Sequence, residues 1–315
     1  MEIIRLTYPF EAVPDAPAAA MAIGFFDGVH QGHREVIGRA VELARQRQLI
    51  SAIMTFDPHP REVLHRQKLR YITPMNDKLR HFAECGVDRT CVLTFDRRLS
   101  LLTPERFVDE VLLPLKAAAV VVGFNFTFGH LGRGNADTLR ELAGDKMLVS
   151  VVRPFLIDGY KVSSTMIREK LLAGDVEKAA ELIGRRYSLR GTVVRGHGRG
   201  RSIGVPTANV LPSESYLIPK TGVYAAYVTV GERRREAVMN IGYKPTFGDN
   251  DAEPTLEAHL IGYEGDLYGR EVEVEFVARL RGEQKFESAE KLVEQIRTDI
   301  GKAKEILSFT SNPRM

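Results

Sequence analysis

Residues 24–33 read Gly24-Phe25-Phe26-Asp27-Gly28-Val29-His30-Gln31-Gly32-His33. An apolar run from Ala20 to Phe26 leads in, and an amphipathic run from Arg34 to Gln48 leads out. This pattern predicts a strand, a glycine-bearing turn and a helix, with two histidines where the helix begins. A helix N-terminus presents free backbone N–H groups and partial positive charge, which suit a phosphate. Histidines at i and i+3 could add donors to the same anion, and Gly28 and Gly32 would let backbone approach it. The same residues also suit a capping turn with solvated histidines, and the stretch alone leaves both readings open.

A chain of 315 residues makes one large domain or two ordinary ones. A net charge of +3 is too small to point to nucleic acid and does not oppose anionic substrates. Cys85 and Cys91 form no C-x-x-C pair, and no Cys/His set has zinc spacing. A reduced, cytoplasmic protein fits. The N-terminus lacks a basic flank, and Pro14, Asp15 and Pro17 interrupt its apolar stretch, so no signal peptide is expected. No apolar run is long enough to span a bilayer.

Residues 1–187 alternate strand-like and helix-like patterns. Strands are expected at Ile50–Phe56, Arg89–Phe95, Ala118–Gly123 and Met147–Phe155. Helices are expected at Asp77–Glu84 with Asn76 as cap, from Thr103-Pro104 onward, from Asn135 to Leu142, and over Thr165–Ala173 and Val176–Ile183. Leu101, Phe107, Val108, Val111 and Leu112 supply an apolar face. Such alternation argues for a parallel sheet covered on both faces, with ligands beyond the carboxyl ends of its strands. Past residue 186 the pattern becomes strand-rich, with runs at Leu189–Arg195, Gly222–Val230, Glu236–Ile241, Thr255–Gly262 and Glu271–Leu280. These predict a small antiparallel barrel, followed by a helix over Ser288–Leu307. The expected domains are 1–186 and 187–315.

Three further stretches of the first half carry candidate chemistry. Thr55-Phe56-Asp57-Pro58-His59-Pro60 leaves a strand in extended form, as a rigid loop or part of a site. Phe124, Phe126 and Phe128 alternate in Gly123–Gly129, suited to core packing or to sandwiching a planar ring. Ser163-Ser164-Thr165 opens a helix, with Arg168 one turn inward; the hydroxyls could cap it or bind phosphate.

In the second half, four glycines and three arginines lie within residues 195–204, ahead of Val205-Pro206-Thr207-Ala208-Asn209. Such a loop offers flexible backbone and cations to a polyphosphate, or is a surface loop or nucleic-acid patch. Thr255–Leu260 alternates, placing Glu257 and His259 on a face that is ordinarily solvated.

Together the stretches G-x-F-D-G-x-H-x-G-H, VSSTMIR at 162–168, Gly191–Asn209 with its closing P-T-A-N, Gly222–Ala225 and Asn240–Gly248 resemble the bacterial bifunctional riboflavin kinase/FAD synthetase family. The resemblance implies a Rossmann-like nucleotidyltransferase domain, then a kinase barrel with a closing helix. It implies phosphorylation of riboflavin by ATP to FMN, then adenylylation of FMN to FAD. ADP and pyrophosphate are released, with Mg²⁺ as cofactor.

The same resemblance implies site roles. Glu257 would be the base for the riboflavin 5′-hydroxyl, with Thr207 and Asn209 contacting Mg²⁺. His30, His33 and Arg168 would act in adenylyl transfer. ATP phosphates would meet Gly24, Phe26, Asp27, Gly28, Gly32, Ser163, Ser164 and Thr165 in the first half, and Arg199, Gly204 and Pro206 in the second. Flavin would meet Asp57, Pro58, His59, Asn125, Phe126, Phe128 and Arg281. Phe25, Asn125 and Thr127 depart from the commonest family pattern, so a chain keeping one activity is an alternative. A nucleic-acid binder using Arg199, Arg201 and Arg233–Arg235, and a flavin-storage protein, are others. Neither nucleic acid nor membrane is an expected partner, and oligomeric state is not legible.

Overall fold

The computed structural model describes residues 1–11, 17–196, 204–243 and 254–310. Two compact units are present, Met1–Ser164 and Thr165–Met315.

The first unit starts with β1 (Glu2–Thr7), β2 (Ala19–Ile23), α1 (Gln31–Arg47), β3 (Ile50–Asp57), α2 (Pro60–His65), α3 (Met75–Glu84) and β4 (Arg89–Thr94). It continues with α4 (Arg97–Ser100), α5 (Pro104–Phe107), β5 (Ala117–Gly123), β6 (Thr127–Phe128), β7 (Gly134–Asn135), α6 (Ala136–Ala143), β8 (Leu148–Val152), β9 (Leu156–Ile157) and β10 (Tyr160–Lys161). Six strands form one parallel sheet in the order β1-β4-β3-β2-β5-β8. Successive residues point to opposite faces. Met21, Met54, Leu93 and Val120 therefore pack in one core, and Ala20, Ala22, Ile53 and Val121 in another. Beyond β2 the chain runs outward through β3 and β4, then returns to the other side of β2 as β5. The carboxyl ends of β2 and β5 flank this reversal, where sheets of this kind bind ligands.

Several sequence expectations need correction here. Asn76 does not cap α3; Pro74 is the N-cap, and Asn76 lies within the first turn. Proline tolerates this place because the first N–H groups of a helix lack intrahelical partners. Leu101 is 53% exposed rather than part of the apolar face that Phe107, Val108, Val111 and Leu112 do form. The strand expected over Met147–Phe155 pairs only across Leu148–Val152. The edge strand β1, half exposed along its length, had no expectation. Thr103 opens its helix as expected, accepting from Arg106 N–H, while Asn135, expected as the first helical residue, is instead the N-cap and accepts from Asp137 and Thr138 N–H.

The helix α7 (Ser164–Ala173) begins at the end of the first unit. The second unit then holds α8 (Val176–Ile183), β11 (Ser188–Val194), β12 (Ala208–Pro212), β13 (Gly222–Val230), β14 (Arg233–Tyr243), β15 (Pro254–Leu260), β16 (Glu271–Arg281) and α9 (Ala289–Thr310). Its six strands close a barrel in the order β11-β12-β15-β14-β13-β16, antiparallel throughout. Closure removes the exposed sheet edges. Ala303 and Leu307 of α9 bury against Val223, Ala225 and Tyr227. The Tyr227 hydroxyl donates to the Leu307 carbonyl at 2.8 Å, fixing the helix to the barrel wall.

Candidate functional site

In the first unit, α1 starts at Gln31, three residues earlier than its amphipathic run suggests. His30 is therefore the N-cap: its Nδ1 accepts the His33 backbone N–H at 3.2 Å. With Nδ1 an acceptor, Nε2 is left to carry the ring proton. The two imidazoles stack with centroids 3.5 Å apart. A side chain at Gly32 would stand 3.3 Å from the His30 ring, so the small residue gives that ring its place.

The turn before the helix is unusual backbone. Phe26 and Val29 have φ of 57° and 40°, a region that non-glycine residues rarely occupy, and Gly28 lies at 92°. Phe26 is buried and meets His33 edge-on at 5.3 Å. A Cβ on Gly24 would stand 2.9 Å from the Phe26 ring. The buried Asp27 carboxylate accepts the Thr73 N–H at 3.0 Å, and its carbonyl accepts the Ser164 hydroxyl at 2.9 Å. Ser163 precedes this contact, while Thr165 and Arg168 continue α7.

After β3, His59 caps α2 by accepting the Arg61 N–H at 3.0 Å, and its ring lies 4.1 Å from Phe25. Asp57 reaches Arg5 at 3.8 Å at the surface, and Pro58 follows it. Burial and the Glu62 carboxylate hold the nearby Tyr71 phenol above its ordinary range.

Phe126 and Phe128 stack 5.5 Å apart and line a cavity of about 720 Å³ with Phe56, Phe95, Leu99 and Phe107. Arg66, Arg97 and His130 also line it, and no acid does. Phe124 and Asn125 are exposed outside this lining. The structure thus brings Phe126 and Phe128 into one apolar chamber, with Asp57, Pro58, His59 and Asn125 outside its lining residues.

In the second unit, Thr207 lines two cavities, of about 70 and 410 Å³. Pro206 lines the smaller, beside Tyr268, whose ring lies 5.6 Å from the Arg195 guanidinium. Glu257, Asn240, Arg281 and Asp299 line the larger, under Leu292 and Ile296 of α9. In the sheet register Glu257 stands opposite Asn209 on one side and Asn240 on the other. Directly opposed residues share a face, so three oxygen-bearing side chains form one row. Among the described residues, the Glu257 carboxylate has no hydrogen-bond or ion-pair partner. The adjacent Gly196 leaves room for Asn209: a Cβ there would stand 2.2 Å from its Nδ2.

Arg281 is held by the buried Asp299 through Nε at 3.0 Å and Nη2 at 2.8 Å. Gln295 donates to the same carboxylate at 2.9 Å. Gly204 is left-handed, with φ of 74°. Arg199 and Arg201 of the glycine-arginine loop, and Lys244–Gly248, lie outside the described residues.

Sequence reasoning gave no role to Lys78, Asn240 or Asp299. Helical spacing could have flagged two of them. Lys78 falls on the apolar stripe of Met75, Leu79 and Phe82, and Asp299 on that of Leu292, Ile296 and Ala303.

Comparison with known proteins agrees with both halves. The FAD synthetase family model matches residues 13–166, and the riboflavin kinase model residues 183–307. The bifunctional riboflavin kinase/FMN adenylyltransferase of Bacillus subtilis is 38% identical, covering 100% of both chains. That of Listeria monocytogenes is 40% identical over 89% of each chain. That of Escherichia coli K12 is 36% identical over 98% of this chain and 99% of its own. A crystal structure from Streptococcus pneumoniae, described as a macrolide-efflux protein, aligns with a TM-score of 0.87 at 30% identity, covering 96% of this chain and 99% of that one. No helix among the described residues is long and apolar enough to cross a membrane. With a parallel-sheet unit and a closed barrel that each match one half of the same bifunctional enzyme, the chain belongs to the bifunctional riboflavin kinase/FMN adenylyltransferase family.

Proposed function

We propose that the two activities use separate pockets, one per unit, with the functional boundary near residue 186. In the kinase pocket, riboflavin occupies the larger cavity and its 5′-hydroxyl reaches Glu257. The hydroxyl oxygen attacks the γ-phosphorus of ATP, its proton passes to the carboxylate, and ADP leaves. The observation that carries this reading is the Glu257 carboxylate, without a partner among the described residues and opposed in register by Asn209 and Asn240.

The Thr207 hydroxyl and Asn209 carboxamide fit Mg²⁺, which takes hard oxygen ligands together with substrate phosphates. Among the described residues, no group of three or more His, Cys, Asp or Glu side chains could form an all-protein cage. When bound, the ion would neutralise charge developing on the phosphates. Arg199, Gly204 and Pro206 would hold the polyphosphate, and Arg281 would border the flavin.

In the first unit, FMN would lie with its ring against Phe126 and Phe128, near the Asp57–His59 segment and Asn125. An FMN phosphate oxygen attacks the α-phosphorus of ATP, and pyrophosphate leaves. His30 and His33, the backbone of Gly24–Gly32 and the hydroxyls of Ser163 and Ser164 would hold the phosphates, and Asp27 would hold the turn. The parts of Thr165 and Arg168 are carried by the family motif alone. Work in the cytoplasm, without nucleic acid or membrane as partner, fits this chemistry. Incubating the protein with riboflavin, ATP and Mg²⁺ and separating the flavins by liquid chromatography tests the scheme. FMN must appear first and FAD after it; FMN without FAD would refute the first pocket, and neither product would refute both.

A further inference from the structure

Lys78 is 1% exposed and belongs to the core-facing stripe of α3. An ammonium so placed is costly unless its hydrogen bonds are met. Its Nζ donates to the Phe25 carbonyl at 2.9 Å and lies 3.6 Å from the centroid of the Phe25 ring. Thr55 Oγ1 donates to the same carbonyl at 3.1 Å. Just ahead of α3, the Thr73 N–H binds the Asp27 carboxylate. Thus β3 and the segment 73–78 hold the turn on both sides of Phe26, by the Phe25 carbonyl before it and the Asp27 side chain after it. That residue and Val29 have positive φ, a conformation that persists only where the surroundings over-determine it. One residue past Val29 begins the His30–His33 cap.

We propose that Lys78 is a positioning residue for adenylyl transfer. Its ammonium fixes the Phe25 carbonyl, and through it the turn 25–29 that presents His30, His33 and the first N–H groups of α1 to the nucleotide. The inference rests on the reading of this turn as the adenylyl-transfer site. Its contacts to Phe25 are with the carbonyl and the ring, so it acts on the turn rather than on the substrate. Thr55 shares that acceptor, so the two side chains form one device.

The full-length chain supplies the test, with FMN-to-FAD and riboflavin-to-FMN rates measured separately beside melting temperature. Lys78→Met is expected to lower kcat for FAD formation by about tenfold or more. KM for FMN and the kinase rate should stay within about twofold, and Lys78→Arg should restore part of kcat. The loss in Lys78→Met/Thr55→Val should be smaller than the product of the single losses, because both act through one carbonyl. A merely structural role predicts losses that multiply and follow the melting temperature, and that result would overturn the proposal. So would Lys78→Met with wild-type kcat while His33→Ala abolishes FAD formation. Should Lys78→Met not fold, Thr55→Val carries the test: it must lower kcat with KM for FMN unchanged, and an unchanged kcat refutes the device. If His33→Ala makes FAD normally, the underlying reading of the turn fails instead.

Discussion

The imidazoles of His30 and His33 lie face to face, 3.5 Å between centroids and 19° between planes. The cap that orders them uses the backbone N–H of His33, not its ring. His33→Ala therefore removes one imidazole while leaving the helix start intact. FMN adenylylation should fall on the order of 10²-fold, as when one preorganised donor to developing charge is lost. FMN formation from riboflavin should be unchanged, and chromatography of both reactions checks the pair of outcomes. His30→Ala removes the cap as well, so it should also lower stability by about 1 kcal/mol.

Glu257→Gln reverses the pattern. The carboxylate has no partner among the described residues, so the amide should disturb neither the barrel nor the melting temperature. Loss of a proton acceptor at the hydroxyl should slow FMN formation by about 10²–10⁴-fold. FAD formation from supplied FMN should persist. Equal loss of both steps in either variant would contradict separate pockets.

How far the sequence could be read depended on whether a feature is local. Thr103-Pro104 and Asn135 announce their helices because a cap is made within a few residues. The bounds of β13 match the apolar run Gly222–Val230. Asn76 misled because a proline two residues earlier took the cap. Glu257 shows the limit more clearly. Alternation along β15 told which face it shares with His259, but not that α9, some forty residues later, would roof that face and turn it into a cavity. Lys78 and Asp299 are similar: each acts on a residue 53 or 18 positions away, a pairing that no local pattern encodes.

Gly196→Ala probes the metal-binding proposal without touching a proposed ligand. The new Cβ would stand 2.2 Å from Asn209 Nδ2 and 2.8 Å from its Cγ. The clash is with the end of a flexible side chain, so the barrel can keep its fold while the carboxamide swings away. The kinase should then need several-fold more Mg²⁺ for half-maximal rate, about 1 kcal/mol of lost binding. Adenylyl transfer should be unaffected. A Mg²⁺ titration of FMN formation, beside a melting curve, gives both readouts; an unchanged Mg²⁺ requirement would remove Asn209 from the ligand set.

Asp88 offers a pH test of the parallel sheet. Its carboxylate accepts the Ser51 hydroxyl at 2.7 Å and the Ser51 N–H at 2.9 Å, tying the start of β4 to that of β3. These bonds, the hydroxyl first, hold its pKa below the ordinary carboxylate value against a smaller opposing effect of burial. A depressed folded-state pKa means that the unfolded chain binds the proton more readily, so acid favours unfolding. The contribution of Asp88 is fully present above the unfolded value, about 3.9, and is lost as pH falls through the lower folded value. Asp88→Ala should accordingly melt below the parent at pH 7. The gap should narrow as the pH drops below about 4. Melting curves of the two proteins across that range settle the sign: a gap that widens in acid would show that the carboxylate is not stabilised by Ser51.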